Sequence, residues 1–266
     1  METFLEPFVA QAQKIYENGV NWTLDDGSFV HSKFAPMTVS ADSVQRPQLQ
    51  NHLQLNAHFG CCWCFHPGLV LPGTTTVLYP YLNAIIERTE EQTLNDMKEA
   101  ALLPIDKNGV NGISPLIFLP GFNHVWGYGA DLLHPVALGV FKDIIGHLFE
   151  ETCAVYCLTR KRTFKNINAR LTGIKPPSIV SHVPISLRDL GVWKGADYGP
   201  MLLWYILPLL HDVWDNNQYL VHIACHAEAI TLLSKKSISE EDFENADELL
   251  HRFVKKTLQI CLGIVP

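Results

Sequence analysis

Phe34-Ala35-Pro36-Met37-Thr38-Val39-Ser40-Ala41-Asp42 is a short, apolar, β-leaning stretch that ends in a carboxylate. A strand ending in Asp presents a metal ligand at the edge of a sheet. Surface turns also end in Asp, and on the residue alone both readings stand. Upstream, Phe4, Leu5, Phe8, Val9, Ala12, Ile15 and Tyr16 recur at three- and four-residue spacings, which predicts an amphipathic helix over residues 3–17. Asn18-Gly19 stops that helix, and a polar turn through Asp25-Asp26-Gly27-Ser28 separates it from the strand.

Downstream, residues 45–73 are rich in His, Cys, Gly and Pro and read as a compact insertion. Residues 81–104 set Glu87, Glu90, Glu91, Asp96 and Glu99 among scattered apolar positions, which predicts a largely solvated helix. Residues 109–128 read as loop, broken by Pro115 and Pro120-Gly121. Beyond Gly129 the apolar positions from Leu132 to Phe149 fill most helix faces, as in a buried helix. Further apolar runs cover 201–213, interrupted by Pro208, and 219–233. The last helix is the clearest: Ser239 with Asp242 three residues on resembles a capping box, and Phe243, Ala246, Leu249, Leu250 and Phe253 follow on one face.

With 266 residues, 47% of them hydrophobic and 18% charged, the chain can bury one sizeable core or two modest ones. A net charge of −7 argues against a generally basic, phosphate-coating surface, so any nucleic-acid contact must be local. The dense cationic run is Arg160-Lys161-Arg162 with Lys165, followed by Arg170 and Lys175. It reads equally as a DNA-facing patch or as a solvated helix end. The N-terminus lacks the pattern of a signal peptide and no window has the length of a membrane span, so the expectation is a soluble, intracellular chain with no membrane partner. Seven cysteines, three of them in Cys61-Cys62-Trp63-Cys64, then favour reduced thiols or metal ligation over a disulfide framework.

Three constellations could carry chemistry. Cys61-x-x-Cys64 has the spacing of one edge of a tetrahedral zinc site, with Gly60 and Pro67-Gly68 supplying turns. Its further ligands could be His66, His58, or His222 with His226, which are four apart and share a helix face. Buried small cysteines and ordinary helix histidines are the competing reading. Asp131-x-x-His134 puts a carboxylate and an imidazole on one helix face, either as a tautomer-fixing pair or as metal ligands. With His222 and His226 these two would make a zinc hydrolase, the most remote reading. Asp42 is the third: in two-metal phosphoryl transfer, carboxylates from separate elements converge on magnesium. A Gly-rich phosphate loop and a nucleophile elbow are both absent.

The order of the pieces carries a resemblance. Asp42-Ser43-Val44-Gln45-Arg46-Pro47, then Gly60-Cys61-Cys62-Trp63-Cys64-Phe65-His66-Pro67-Gly68, then Gly112-Ile113-Ser114-Pro115-Leu116-Ile117-Phe118-Leu119-Pro120, then Asp131-Leu132-Leu133-His134-Pro135-Val136-Ala137-Leu138-Gly139-Val140-Phe141-Lys142 resembles CACTA (En/Spm)-type DNA transposases of animal genomes. The resemblance continues through Ile174-Lys175-Pro176-Pro177-Ser178-Ile179-Val180-Ser181, Leu187-Arg188-Asp189-Leu190 and Trp193-Lys194-Gly195-Ala196-Asp197-Tyr198 to the helix at Ser239.

The resemblance implies an α/β remnant of an RNase H-like fold at the N-terminal end, followed by a mainly α-helical region. It divides the chain into a partial catalytic domain (1–60), a Cys/His-rich insertion and linker helix (61–110) and a mainly helical transposase region (111–266). It also implies an acidic triad that binds Mg2+ or Mn2+ and cuts and rejoins DNA at transposon ends, in the nucleus. By position, Asp42 matches the second acid and Glu228 is the candidate third. Cys61 and Cys64 match the family's cysteine pair, and Asp131 with His134 its Asp-x-x-His element. The strand bearing the first acid belongs upstream of the 3–17 helix, and the histidine pair that would complete a zinc site belongs beyond the last helix. The expectation is therefore a transposase-derived, catalytically impaired protein, with a DNA- or protein-binding module as the alternative. An RNase H-like sheet without its opening strands exposes its edges, which makes a homo-oligomer a further expectation.

Overall fold

A computed structural model of the chain describes residues 2–103, 105–150, 156–176, 178, 180 and 185–262. Of the segment 174–181, Pro177, Ile179 and Ser181 lie outside the described residues. The chain forms two compact units, Met1–Asp131 and Leu132–Pro266. This division differs from the boundaries at 60 and 110 read from sequence. Within the first unit the Cys/His-rich segment is tied back on both sides: the Leu53 amide donates to Gly109 O (2.7 Å) and the Arg88 amide to Trp63 O (2.9 Å).

The first unit opens with helix α1 (Glu2–Asn18), followed by the antiparallel pair β1 (Val20–Thr23) and β2 (Phe29–Ser32). Gly27, at φ +81°, closes the turn between them, where its amide donates to Leu24 O. Helix α2 (Gln45–Gln50), a second small hairpin of β3 (Leu69–Val70) and β4 (Val77–Leu78), helix α3 (Glu90–Leu102) and a 3-10 turn (Pro115–Phe118) complete it.

Its apolar centre is small: Val9, Leu116, Leu119, Phe122 and Tyr128. The expected α1 stripe therefore splits. Val9 is buried, whereas Phe4, Phe8, Ile15 and Tyr16 are exposed. The strand expected over 34–41 contracts to a single parallel bridge between Val39 and Tyr128. The next rung back would need the Gly127 amide, which donates instead to Asn123 O (2.8 Å), so the pairing does not extend backwards. α3 is less solvated than its acidic positions suggest, because Asp96, Met97 and Ala100 are buried on one face.

The second unit is helical throughout its described elements. A π-helical segment (Leu133–Phe141) runs into α4 (Lys142–Phe149), with the Ala137 amide reaching back to Leu132 O (3.2 Å). Pro135, lacking a donor, sits in the widened turn. There follow α5 (Lys161–Gly173), a 3-10 segment (Leu187–Val192), and α6 (Gly195–Pro200), which continues through a π-turn (Met201–Tyr205) into α7 (Ile206–Leu210). The last two helices are α8 (Gln218–Leu233) and α9 (Glu240–Leu262). Phe141, Ile145, Ile167, Leu171, Met201, Ile206 and Leu210 form a common core with Ile223.

α8 and α9 pack antiparallel. Lys235 pairs with Asp242 near the turn (2.6 Å), and His222 meets Thr257 at the far end (3.3 Å). The capping box forms as the spacing requires: the Asp242 amide donates to Ser239 Oγ (3.1 Å) and the Ser239 amide to Asp242 Oδ2 (3.3 Å). Among the described residues no helix is long and apolar enough to cross a membrane.

Phe253, buried against α8, should be the more costly residue to truncate in this pair. Phe253→Ala is expected to lose about 3–5 kcal/mol in denaturant unfolding. Ser239→Ala, which removes only the cap, should lose about 1 kcal/mol.

Candidate functional site

The Val39–Tyr128 bridge fixes a register with a chemical consequence. Three residues beyond Val39 lies Asp42, and three beyond Tyr128 lies Asp131. The Val44 and Gln45 amides donate to Asp42 Oδ1 (3.0 and 2.6 Å), and the Ser43 amide donates to Asp131 Oδ2 (2.8 Å). Two half-buried carboxylates thus serve three consecutive amides at the start of α2. α2 is itself held by Arg46, which is buried with its guanidinium over the Trp63 ring (4.2 Å to the centroid).

The structure brings Asp42 and Asp131 to consecutive amides of one turn, a neighbourhood the sequence motifs did not announce because the residues are 89 positions apart. The helical segment begins at Leu133, so His134 lies within it and Asp131 just before it. Glu228 belongs to the second unit, on the exposed side of α8, in a shallow groove with Asn245, Glu248 and Arg252.

Cys61 and Cys64 share a hydrogen bond, and this bond is the main cause of the Cys61 thiol falling to about 6, helped by the Trp63 and Cys64 amides. The same bond, followed by burial, raises Cys64. Burial pushes the neighbouring Cys62 up to about 11. The knuckle is seated on Arg88, whose Nε donates to Cys61 O (2.9 Å) and Cys64 O (3.2 Å) and whose Nη2 donates to Asn108 O (2.6 Å). Asp96, fully buried, accepts from Asn108 (3.1 Å) and Gln92 (2.9 Å) beside it.

Two thiols at this spacing match half of a tetrahedral zinc site. His66 does not complete it, since its ring nitrogens face Pro67 O (3.1 Å) and Pro80 O (2.6 Å). His58 is turned to Gly68 O (2.7 Å). Among the described residues no three or more His, Cys, Asp or Glu gather as a metal site. Cys61, Cys62, Cys64, Cys157 and Cys225 are free thiols.

His222 and His226 share the buried face of α8 as their spacing predicts. Their rings stack on Phe253, with centroids 4.5 and 4.8 Å away, and His226 also stacks on Phe141 at 6.5 Å. Burial lowers both imidazoles to about 4, and neither Nδ1 has a hydrogen-bond partner. Arg160, Lys161, Arg162 and Lys165 lie at the start of α5, where the first three and Lys165 are all exposed. Cations there oppose the helix dipole, at a cost of about 0.3–1 kcal/mol each. Arg170, at the other end, is fully engaged with Asp212 through both guanidinium nitrogens (2.5 and 2.7 Å).

Sequence reasoning missed the buried polar residues Arg88, Asp96, His52 and His124. For Arg88 a signal existed: the carbonyls of a Cys-x-x-Cys turn need donors, and a long cation nearby in the chain can reach them. His52 and His124 carried no such signal. No protein-family model, no curated protein and no solved structure matches this chain.

Iodoacetamide at neutral pH should label Cys61 ahead of Cys62 and Cys64, with a rate midpoint near pH 6, as read by peptide mass spectrometry. Equal labelling of all three would contradict the hydrogen-bonded thiolate.

Burial also lowers His52 and His124 to about 4. Both are therefore neutral in the fold and take up protons in the unfolded chain at about 6.5. The stability they contribute is complete above that value and is lost as the pH falls towards 4, up to about 3 kcal/mol each. His124→Leu should flatten the acid limb of a stability–pH curve, and an unchanged slope would contradict the assignment.

Proposed function

We propose that this chain derives from a DNA transposase of the CACTA type, retains two acids of a metal-dependent phosphoryl-transfer centre, and is catalytically impaired. The observation that carries this reading is the convergence of Asp42 and Asp131 on the amides of residues 43–45. Adjacent parallel segments that end in carboxylates are how two-metal sites gather their ligands from distant parts of a chain. Mg2+ or Mn2+ bound there would polarise a phosphate oxygen and lower the pKa of an attacking water. Asp42 and Asp131 would hold the ion, and the 43–45 turn would fix their orientation.

The same geometry supports impairment. Each carboxylate already gives one oxygen to the backbone, and no further acid joins the pair among the described residues. With a ligand short, the ion is held weakly and the attacking and leaving oxygens are not clamped together. In this reading the RNase H-like sheet is reduced to the Val39–Tyr128 bridge. DNA is the partner, contacted through Arg160, Lys161, Arg162 and Lys165. Their unfavourable position at a helix N-terminus is what supports a phosphate-facing role, since a phosphate would reverse the penalty. Zinc, if taken up, would be bound by Cys61 and Cys64.

The test is a pair of assays on the purified chain. Bound to a short duplex at low salt, it should lose most of its affinity in the Arg160→Ala/Lys161→Ala/Arg162→Ala/Lys165→Ala variant and weaken steeply as salt rises. With supercoiled plasmid and Mn2+, nicking should not exceed that of Asp42→Asn. Failure to bind duplex at low salt would sink the DNA partner. Nicking that disappears with EDTA and with Asp42→Asn would sink the impairment.

A further inference from the structure

The β1–β2 hairpin is a two-stranded sheet whose outer edges are unpaired among the described residues. The Leu24 amide donates to Ser28 O (2.9 Å), so Leu24 and Ser28 form a bonded pair. By the alternation of an antiparallel ladder, Trp22 and Val30 also bond inward, leaving the backbone groups of Phe29 and His31 directed outward along β2. Apart from its four-residue length, this edge lacks the usual protections. Phe29–Ser32 contains no proline and no Lys, Arg, Asp or Glu, and Phe29 is 81% exposed.

We propose that the outer edge of β2 is a self-association surface, on which two copies of this chain pair β2 with β2 antiparallel, centred on Val30. Phe29 of one copy then lies opposite His31 of the other as a hydrogen-bonded pair, and Val30 faces Val30. On one face Trp22 and Val30 of both copies make a continuous apolar row, where Val30 is now 40% and Trp22 47% exposed. The same register sets Lys33 opposite Gly27 of the second copy, next to the acidic turn Asp25-Asp26. Opposite charges therefore meet at both ends of the new sheet.

The alternative pairing through β1 is disfavoured on the same grounds. Its outward groups at Asn21 and Thr23 would bring Asp25 of one copy to Gly19 of the other, close to Glu17, and like charges would meet. The inward side of β2 is closed by β1, where His31 Nδ1 lies 2.8 Å from Asn21 Oδ1. A four-residue edge buries less than the roughly 1,200 Å2 of a standard interface, so the pairing is a reversible, weak one.

Sedimentation of the full chain over a micromolar concentration series should show a monomer–dimer equilibrium. Lys33→Glu, at an exposed position, should raise its dissociation constant about tenfold, partly restored by salt. Phe29→Pro removes one outward amide and should abolish the dimer. Val30→Cys, oxidised with glutathione disulfide, should give a symmetric disulfide between the substituted positions of the two copies by peptide mapping, the two thiols losing two electrons as the oxidant becomes two glutathione thiols. A monomer throughout the series, a dimer indifferent to Lys33→Glu, or a Val30→Cys dimer without that cross-link would each overturn the pairing.

Discussion

One parallel bridge, Val39 to Tyr128, organises the chemistry of the first unit. It is made by two backbone hydrogen bonds, from the Val39 amide to Gly127 O (2.8 Å) and from the Gly129 amide to Val39 O (3.0 Å). It nevertheless sets the register of both segments beyond it. A slip of one residue would move one carboxylate off the α2 turn and leave an amide without its acceptor. Tyr128 secures the bridge, with its buried ring edge-on to Phe122 at 5.2 Å. The turn that Asp42 and Asp131 hold is thus supported by a packed aromatic pair rather than by a sheet.

The rest of the first unit shows how a small apolar core can be supplemented by buried charge. Arg88 is 1% exposed, stacks on Phe65 (4.4 Å) and donates to three carbonyls, so its desolvation is offset by directed hydrogen bonds and by the nearby Asp96. Remove that cation, and the Cys61–Cys64 turn loses both the donor for its carbonyls and part of the positive field near its thiols. The second unit works differently. Its core is apolar, and the buried His222 and His226 both stack on Phe253, His226 also on Phe141.

Legibility followed the range of the interactions. The α9 capping box, the shared face of His222 and His226, and the breaks at Gly19 and Gly27 are local, and all could be read from spacing. The fate of the 34–41 strand was not, because whether an extended segment pairs over its length depends on a partner 89 residues away, where the Gly127 amide is already taken by Asn123 O. The α1 stripe shows the reverse limit. Periodicity identifies an apolar face but not whether anything covers it, and Phe4 and Phe8 stay in solvent. At the site, Asp42 and Asp131 were each visible as candidates, while their meeting at one turn was a tertiary fact with no local trace.

Whether Asp42 and Asp131 act as one site is the central question for function. Mn2+ binding, followed by electron paramagnetic resonance on folded wild-type protein, Asp42→Asn, Asp131→Asn and the double variant, measures this directly. If the carboxylates share an ion, one weak Mn2+ site should be lost in either single variant, and the double variant should lose nothing more. Binding that survives both single substitutions, or falls by independent increments, would contradict a shared site.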